Sequence, residues 1–149
     1  MSEGAESRGA YPHIETLQTR WADNDVYGHV NNVEYYAFFD TVINRWLIRE
    51  GGLDIHGGGV IGVCAESHCT YMDGFAFPDD IEAGLRVGRL GNSSVTYEIG
   101  LFAVGADAPA ATGWFVHVFV DAATRRPAEI PSRLRASLER LVPAGEPRS

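Results

Sequence analysis

The sequence predicts an α+β fold, one antiparallel five-stranded sheet with a single long helix against one of its faces. Two patterns carry that reading. Residues Asn32 to Glu50 place Val33, Tyr35, Tyr36, Phe38, Phe39, Val42, Ile43, Trp46 and Leu47 at three- and four-residue steps, the spacing of a helix. Beyond residue 60 apolar and polar residues instead alternate over four segments separated by turn residues, the spacing of strands. One more strand precedes the helix, which completes the five.

That first strand is read over Ile14 to Ala22, and the polar run Asp23-Asn24-Asp25 stops it. The helix has marked ends. Asn31 is a favoured N-cap, with Glu34 three residues on to complete a capping box and Val30 and Tyr35 as the flanking hydrophobic staple. Arg49 suits the last turn, and Gly51-Gly52 gives a left-handed exit. Its apolar residues cover more than one stripe, so the helix is expected to be enclosed by the rest of the chain.

Val60 to Met72 is the next strand, turned by Gly74 to Pro78. In Ile81 to Val87 the residues Ile81, Ala83, Leu85 and Val87 form one apolar face, and Gly91-Asn92 turns the chain into Ser93 to Val104, with Val95, Tyr97, Ile99 and Leu101 on one side. Thr112 to Val120 is apolar on both faces, with Trp114, Val116, Val118 and Val120 on one and Phe115, His117 and Phe119 on the other. A sheet with one helix covers only one face, so a homo-oligomer, dimer or tetramer, is expected. Pro131 to Leu141 reads as a short terminal helix with Pro131 in its first turn.

At 149 residues and 45% hydrophobic content, the chain suits one domain, placed at 14–142 between flexible tails at 1–13 and 143–149. The polar start has no apolar segment for a signal peptide or membrane span, which points to the cytoplasm. A net charge of −8 opposes binding to nucleic acid and to anionic membranes. Cys64 and Cys69, five apart on one strand, are expected on opposite faces and unpaired. Neither they nor the five scattered histidines have metal-ligand spacing, so no metal is expected.

The densest polar cluster is Asp23, Asn24, Asp25, Tyr27, His29, Asn31 and Asn32, between the first strand and the helix. Read blandly, Asp23 and Asp25 shape a turn, Asn31 caps the helix and His29 is incidental. Read chemically, the helix start offers the free N–H groups of Asn32, Val33 and Glu34 to an oxyanion. A carboxylate just upstream can attack a carbonyl or deprotonate the water that does. The pairing suits acyl transfer.

The run Asp25-Val26-Tyr27-Gly28-His29-Val30-Asn31-Asn32-Val33-Glu34-Tyr35-Tyr36, continuing into Phe38-Phe39-Asp40, resembles the signature of hotdog-fold thioesterases of the 4-hydroxybenzoyl-CoA thioesterase family. Gly91 to Glu98 and Val120 to Pro131 also match that family's course. The resemblance implies a hotdog fold, with the sheet wrapped around a central helix, and hydrolysis of an acyl-CoA or acyl-carrier-protein thioester. Asp25 would be nucleophile or general base and the N–H nearest Asn32 the oxyanion donor. It also implies substrate contacts at Tyr27, Gly28, Asn31, Ser93 and Ser94, and at Arg89, at the end of its strand beside the Gly91-Asn92 turn, either a contact with a CoA phosphate or a surface ion pair. No cofactor is implied beyond the coenzyme A of the substrate itself, because a thiolate leaves readily. Coenzyme A is polyanionic, so its site needs a local basic patch within an acidic chain.

The same run is similar to the Asp-to-His-Val-Asn-Asn stretch of plant acyl-carrier-protein thioesterases, whose Asp, Asn and His are catalytic. Asp25 and His29 match, but Tyr27 stands where the Asn would be, which leaves His29 an auxiliary polar group. Further candidates are Glu66 and His68 on one strand face, Arg125-Arg126 with Arg133 and Arg135 as turn charge or nucleotide contacts, and His117 as a satisfied interface histidine. Competing activities are a hotdog hydratase or dehydratase acting on an acyl thioester and a non-catalytic acyl-CoA-binding protein.

Overall fold

A computed structural model describes residues 7–143. Five strands form one antiparallel sheet: β1 (His13–Gln18), β2 (Val60–Tyr71), β3 (Asp80–Leu90), β4 (Ser94–Ala103) and β5 (Ala111–Asp121). Their order across the sheet is β1-β3-β4-β5-β2, with β1 and β2 at the edges. The long helix α1 (Glu34–Arg49) lies on one face, and the short helix α2 (Ser132–Glu139) follows β5.

The alternation read from the sequence is what buries the inner face. Ile81, Ala83 and Leu85 of β3 and Ile99 and Leu101 of β4 have no exposed surface, nor do Phe39, Val42, Ile43 and Leu47 of α1. Burying each such side chain contributes roughly 1.5–3 kcal/mol. Gly113 of β5 shows how tightly helix and sheet meet. A Cβ there would collide with the His68 carbonyl and the ring edge of Phe39, whose Cζ would lie 2.7 Å away.

Several expectations shift. The first strand ends at Gln18, because Trp21–Asp23 winds into a 3₁₀ turn held by the Asp23 side chain. Helix α1 is not enclosed: it buries one broad stripe and leaves Ala37, Asp40, Thr41 and Ile48 exposed. It also starts later than its cap signal, at Glu34, preceded by Val33 with helical φ and ψ. Residues 7–13 do not behave as a tail. Arg8 pairs with Glu82, and Tyr11, 6% exposed, lies across Gly84 and Gly100 beside Phe102 on the outer face. Of the tails expected at 1–13 and 143–149, the parts 1–6 and 144–149 lie outside the described residues.

Two bulges change which face a side chain takes. A register shift between Cys64 and Glu66 sets Cys64 opposite His117 and Cys69 opposite Gly113, so the two cysteines share the inner side instead of opposing faces. Both are free. A shift between Val87 and Arg89 sets Arg89 opposite Thr96, moving it off the apolar face. On β5, Phe115, His117 and Phe119 are buried inward while Trp114 is exposed and Val116 and Val118 are half-buried. His117 is therefore a core residue, its Nδ1 3.0 Å from the Tyr97 hydroxyl, and not an interface one.

Candidate active site

Between β1 and α1 the chain builds a small hairpin. Asn24 and Val30 form an antiparallel bridge, Asp25 N–H bonds the His29 carbonyl at 2.9 Å, and Gly28 N–H returns to the Asp25 carbonyl at 3.1 Å. The turn closes because Gly28 takes φ +86°, the left-handed region that costs glycine little. Asp25 Oδ1 accepts the Tyr27 N–H at 2.9 Å, and Oδ2 has no hydrogen-bond partner among the described residues.

Beneath the hairpin, Asp23 is 1% exposed and fully engaged. Its Oδ2 accepts the Arg20 N–H at 2.7 Å, and its Oδ1 accepts Arg20 Nε and Nη2 at 3.0 and 2.7 Å. Its carbonyl takes the Asn31 N–H at 2.8 Å, which ties the end of the hairpin to the ion pair. The second arm of the expected capping box does not form, because the Asn31 N–H is already taken. Glu34 instead stands 3.6 Å from Arg20.

At the helix entry the expected donor set narrows. Val33 N–H bonds Asn31 Oδ1 at 3.1 Å, and Glu34 N–H bonds the Asn31 carbonyl at 2.9 Å. Of the three backbone donors, only the Asn32 N–H has no acceptor among the described residues. It sits at the positive end of α1. Asn32 and Asp25 line the same cleft of about 860 Å³, together with Trp21, Tyr27, Gly28 and Asn31. A free donor at a helix start beside a half-buried carboxylate with one unpaired oxygen is an arrangement that can polarise a carbonyl and deliver a base or nucleophile to it.

The remaining candidates lie elsewhere. The His29 ring rests over Gly74, 3.6 Å from the place a Cβ would occupy, and does not line the cleft. Arg89, Ser93 and Ser94 stand at the far end of β3 and β4, separated from the hairpin by the length of an 11-residue strand, roughly 30 Å. Glu66 and His68 face outward, with His68 stacked on Trp114 and 3.1 Å from Thr70. Arg125 and Arg126 are exposed in the turn after β5. Sequence reading missed the Arg20–Asp23 clamp and Tyr71, whose hydroxyl donates to the Asn32 carbonyl at 2.9 Å. The first had a local signal in its three-residue spacing; the second, 39 residues away, had none. Among the described residues no group of three or more His, Cys, Asp or Glu is placed to hold a metal ion.

The family model for the thioesterase-like superfamily matches residues 19–138, a span that contains the hairpin, the helix and all strands but the first. The chain belongs to that superfamily. Membership makes it a thioester hydrolase of the hotdog type, in agreement with the sheet and helix described above. Among solved structures the chain is similar to the PA5185 protein of Pseudomonas aeruginosa, with 54% identity over 94% of this chain and 98% of that one and a TM-score of 0.91. It is also similar to the PA2801 protein of the same organism, described as a candidate thioesterase, with 30% identity over 86% and 98% and a TM-score of 0.79. SAV2348 of Staphylococcus aureus, solved in complex with CoA, shares the fold at 17% identity over 89% and 87%, with a TM-score of 0.79. Among curated proteins no match is found.

Proposed function

We propose that the chain hydrolyses an acyl-CoA or acyl-carrier-protein thioester, with Asp25 as the catalytic carboxylate and the Asn32 N–H as oxyanion donor. The observation that carries this is the pairing itself: Asn32, whose N–H has no acceptor among the described residues, lines the same cleft as Asp25. The thioester carbonyl oxygen would sit on the Asn32 N–H, where the developing negative charge meets the helix dipole. Asp25 then either adds to the carbonyl carbon or takes a proton from the water that adds. Collapse of the tetrahedral intermediate breaks the C–S bond, and the electron pair leaves on sulfur as the thiolate. Where water adds, this collapse gives the acid directly. Where Asp25 adds, it leaves an acyl-Asp25 anhydride that water then hydrolyses, freeing the acid and restoring the carboxylate. In both cases the proton from water ends on the thiolate or the acid, so one water is consumed per acid and thiol formed.

Tyr27, Gly28 and Asn31 are placed to contact the thioester region, since they line the cleft. Arg89, Ser93 and Ser94 are proposed to hold the nucleotide end from a second copy of the chain, because within one copy they are too far from Asp25. The open edge and exposed residues of β2 supply a surface for that copy. CoA binding in SAV2348 supports CoA as the carrier. No described helix is long and apolar enough to cross a membrane, and the −8 charge disfavours nucleic acid and anionic bilayers, which fits an expected cytoplasmic site of action.

The test is free-thiol release from a panel of aliphatic and aromatic acyl-CoAs, with wild type and Asp25→Asn. General-base assistance is worth roughly 10²–10⁴-fold, so the variant should lose turnover on that order while keeping its fold. Hydrolysis by D25N at the wild-type rate removes Asp25 from the mechanism. Binding without thiol release by the wild type identifies a non-catalytic acyl-CoA binder, and consumption of an enoyl-CoA with the thioester intact identifies a hydratase.

A further inference from the structure

We propose that Tyr71 is a positioning residue for thioester hydrolysis, fixing the helix entry so that the Asn32 N–H keeps its aim into the cleft. The inference rests on Asn32 acting as the oxyanion donor. Tyr71 closes β2, and its hydroxyl donates to the Asn32 carbonyl, just ahead of α1, at 2.9 Å.

The hydrogen bonds around Asn32 explain why this matters. The peptide unit from Asn32 to Val33 is held at both ends, its carbonyl by the Tyr71 hydroxyl and its N–H by Asn31 Oδ1 at 3.1 Å. The preceding unit carries the Asn32 N–H, and its carbonyl, on Asn31, accepts Glu34 N–H at 2.9 Å. Because each unit is planar, fixing one end fixes the other. Two held planes that meet at the Asn32 Cα leave that N–H a single direction. Tyr35 N–H also reaches the Asn32 carbonyl, but at 3.4 Å, so the phenol is the shorter of its two partners. Without it one plane loses an anchor.

The phenol is itself held. Its ring meets the Tyr35 ring edge-on at 4.9 Å and 80°, and Tyr35 is 3% exposed among Phe38 and Phe75. Although Tyr71 is 41% exposed as a whole, desolvation of its hydroxyl, with Cys69 and Tyr36 alongside, raises its pKa above the ordinary phenol value, so the hydroxyl keeps its proton and remains a donor. This separates Tyr71 from a general acid, whose pKa would lie near the working pH.

Steady-state kinetics on Tyr71→Phe, beside Asn32→Pro, tests the proposal. Phenylalanine keeps the ring contact with Tyr35 and removes only the hydroxyl. Y71F should lower kcat about tenfold with KM nearly unchanged, a partial form of the roughly 10²–10³ lost with an oxyanion donor. The pH profile of kcat should keep its shape, because the hydroxyl removed is one that stays protonated over the working range. Wild-type kcat in Y71F, a fall shared equally with a rise in KM, or loss of an alkaline limb each overturns the positioning role. Proline at 32 deletes the N–H, which bonds no acceptor among the described residues. Wild-type kcat in N32P would overturn the Asn32 reading and the proposal with it; a large loss in N32P with none in Y71F would overturn the Tyr71 role alone. Should N32P fail to fold, the Y71F split between kcat and KM decides by itself.

Discussion

The Tyr97 hydroxyl and His117 Nδ1 stand 3.0 Å apart in the middle of the inner face, walled by Phe115 and Phe119. His117 is 3% exposed, and burial lowers its pKa from 6.5 to about 4. The imidazole is therefore neutral in the folded chain over a range in which the unfolded chain takes up a proton. Folding stability is unaffected by His117 above pH 6.5, falls as pH drops from 6.5 towards 4, and levels off below that. A shift of that size corresponds to about 3 kcal/mol at most. Denaturant unfolding of His117→Gln should show a shallower acid limb than wild type between pH 6.5 and 4. Parallel limbs would mean that His117 is not the group responsible.

Gly113 has no room for a side chain. The added methyl of Gly113→Ala would press on the His68 carbonyl and on Phe39, and the carbonyl cannot retreat without parting β2 from β5. Overpacking of this kind costs about 1–3 kcal/mol, which in a chain of this size lowers Tm by roughly 3–10 °C. Thermal unfolding reads it directly, and an unchanged Tm would show that the sheet and helix are less closely packed than described.

If the site draws on two copies, two defects on different copies should complement. Arg89→Ala is expected to raise KM for acyl-CoA, and Asp25→Asn to lower kcat. Mixing the two variants under conditions that allow subunit exchange creates assemblies in which one site has both native residues. Activity above the sum of the separate variants is the expected result, with sedimentation giving a mass of two or more chains. A single-chain mass, or no gain on mixing, would remove Arg89 of a neighbouring copy from the site.

The sequence by itself determined the architecture and the stretch of chain that forms the candidate site. Periods of two and of three to four residues specify which side chains can share a buried face, so β3, β4, β5 and α1 were legible with their inner faces. Asp25, Gly28, Asn31 and Asn32 were legible because they fall within eight residues, where turn and helix-entry chemistry is local. Tertiary structure decided what depends on partners distant in sequence or on a break in the period. One extra residue at each bulge moved Arg89 to the outer face and brought Cys64 and Cys69 to the same side, which no count of alternation anticipates. The unused second arm of the cap at Asn31 followed from competition, since the Asp23 carbonyl reaches its N–H first. The hold of Tyr71 on Asn32 exists only because the sheet carries the end of β2 to the start of α1, across 39 residues of chain. Local hydrogen bonds, from Val33 N–H to Asn31 Oδ1 and from Glu34 N–H to the Asn31 carbonyl, leave the Asn32 N–H without an acceptor among the described residues; what long-range packing adds is the Tyr71 hydroxyl on the Asn32 carbonyl.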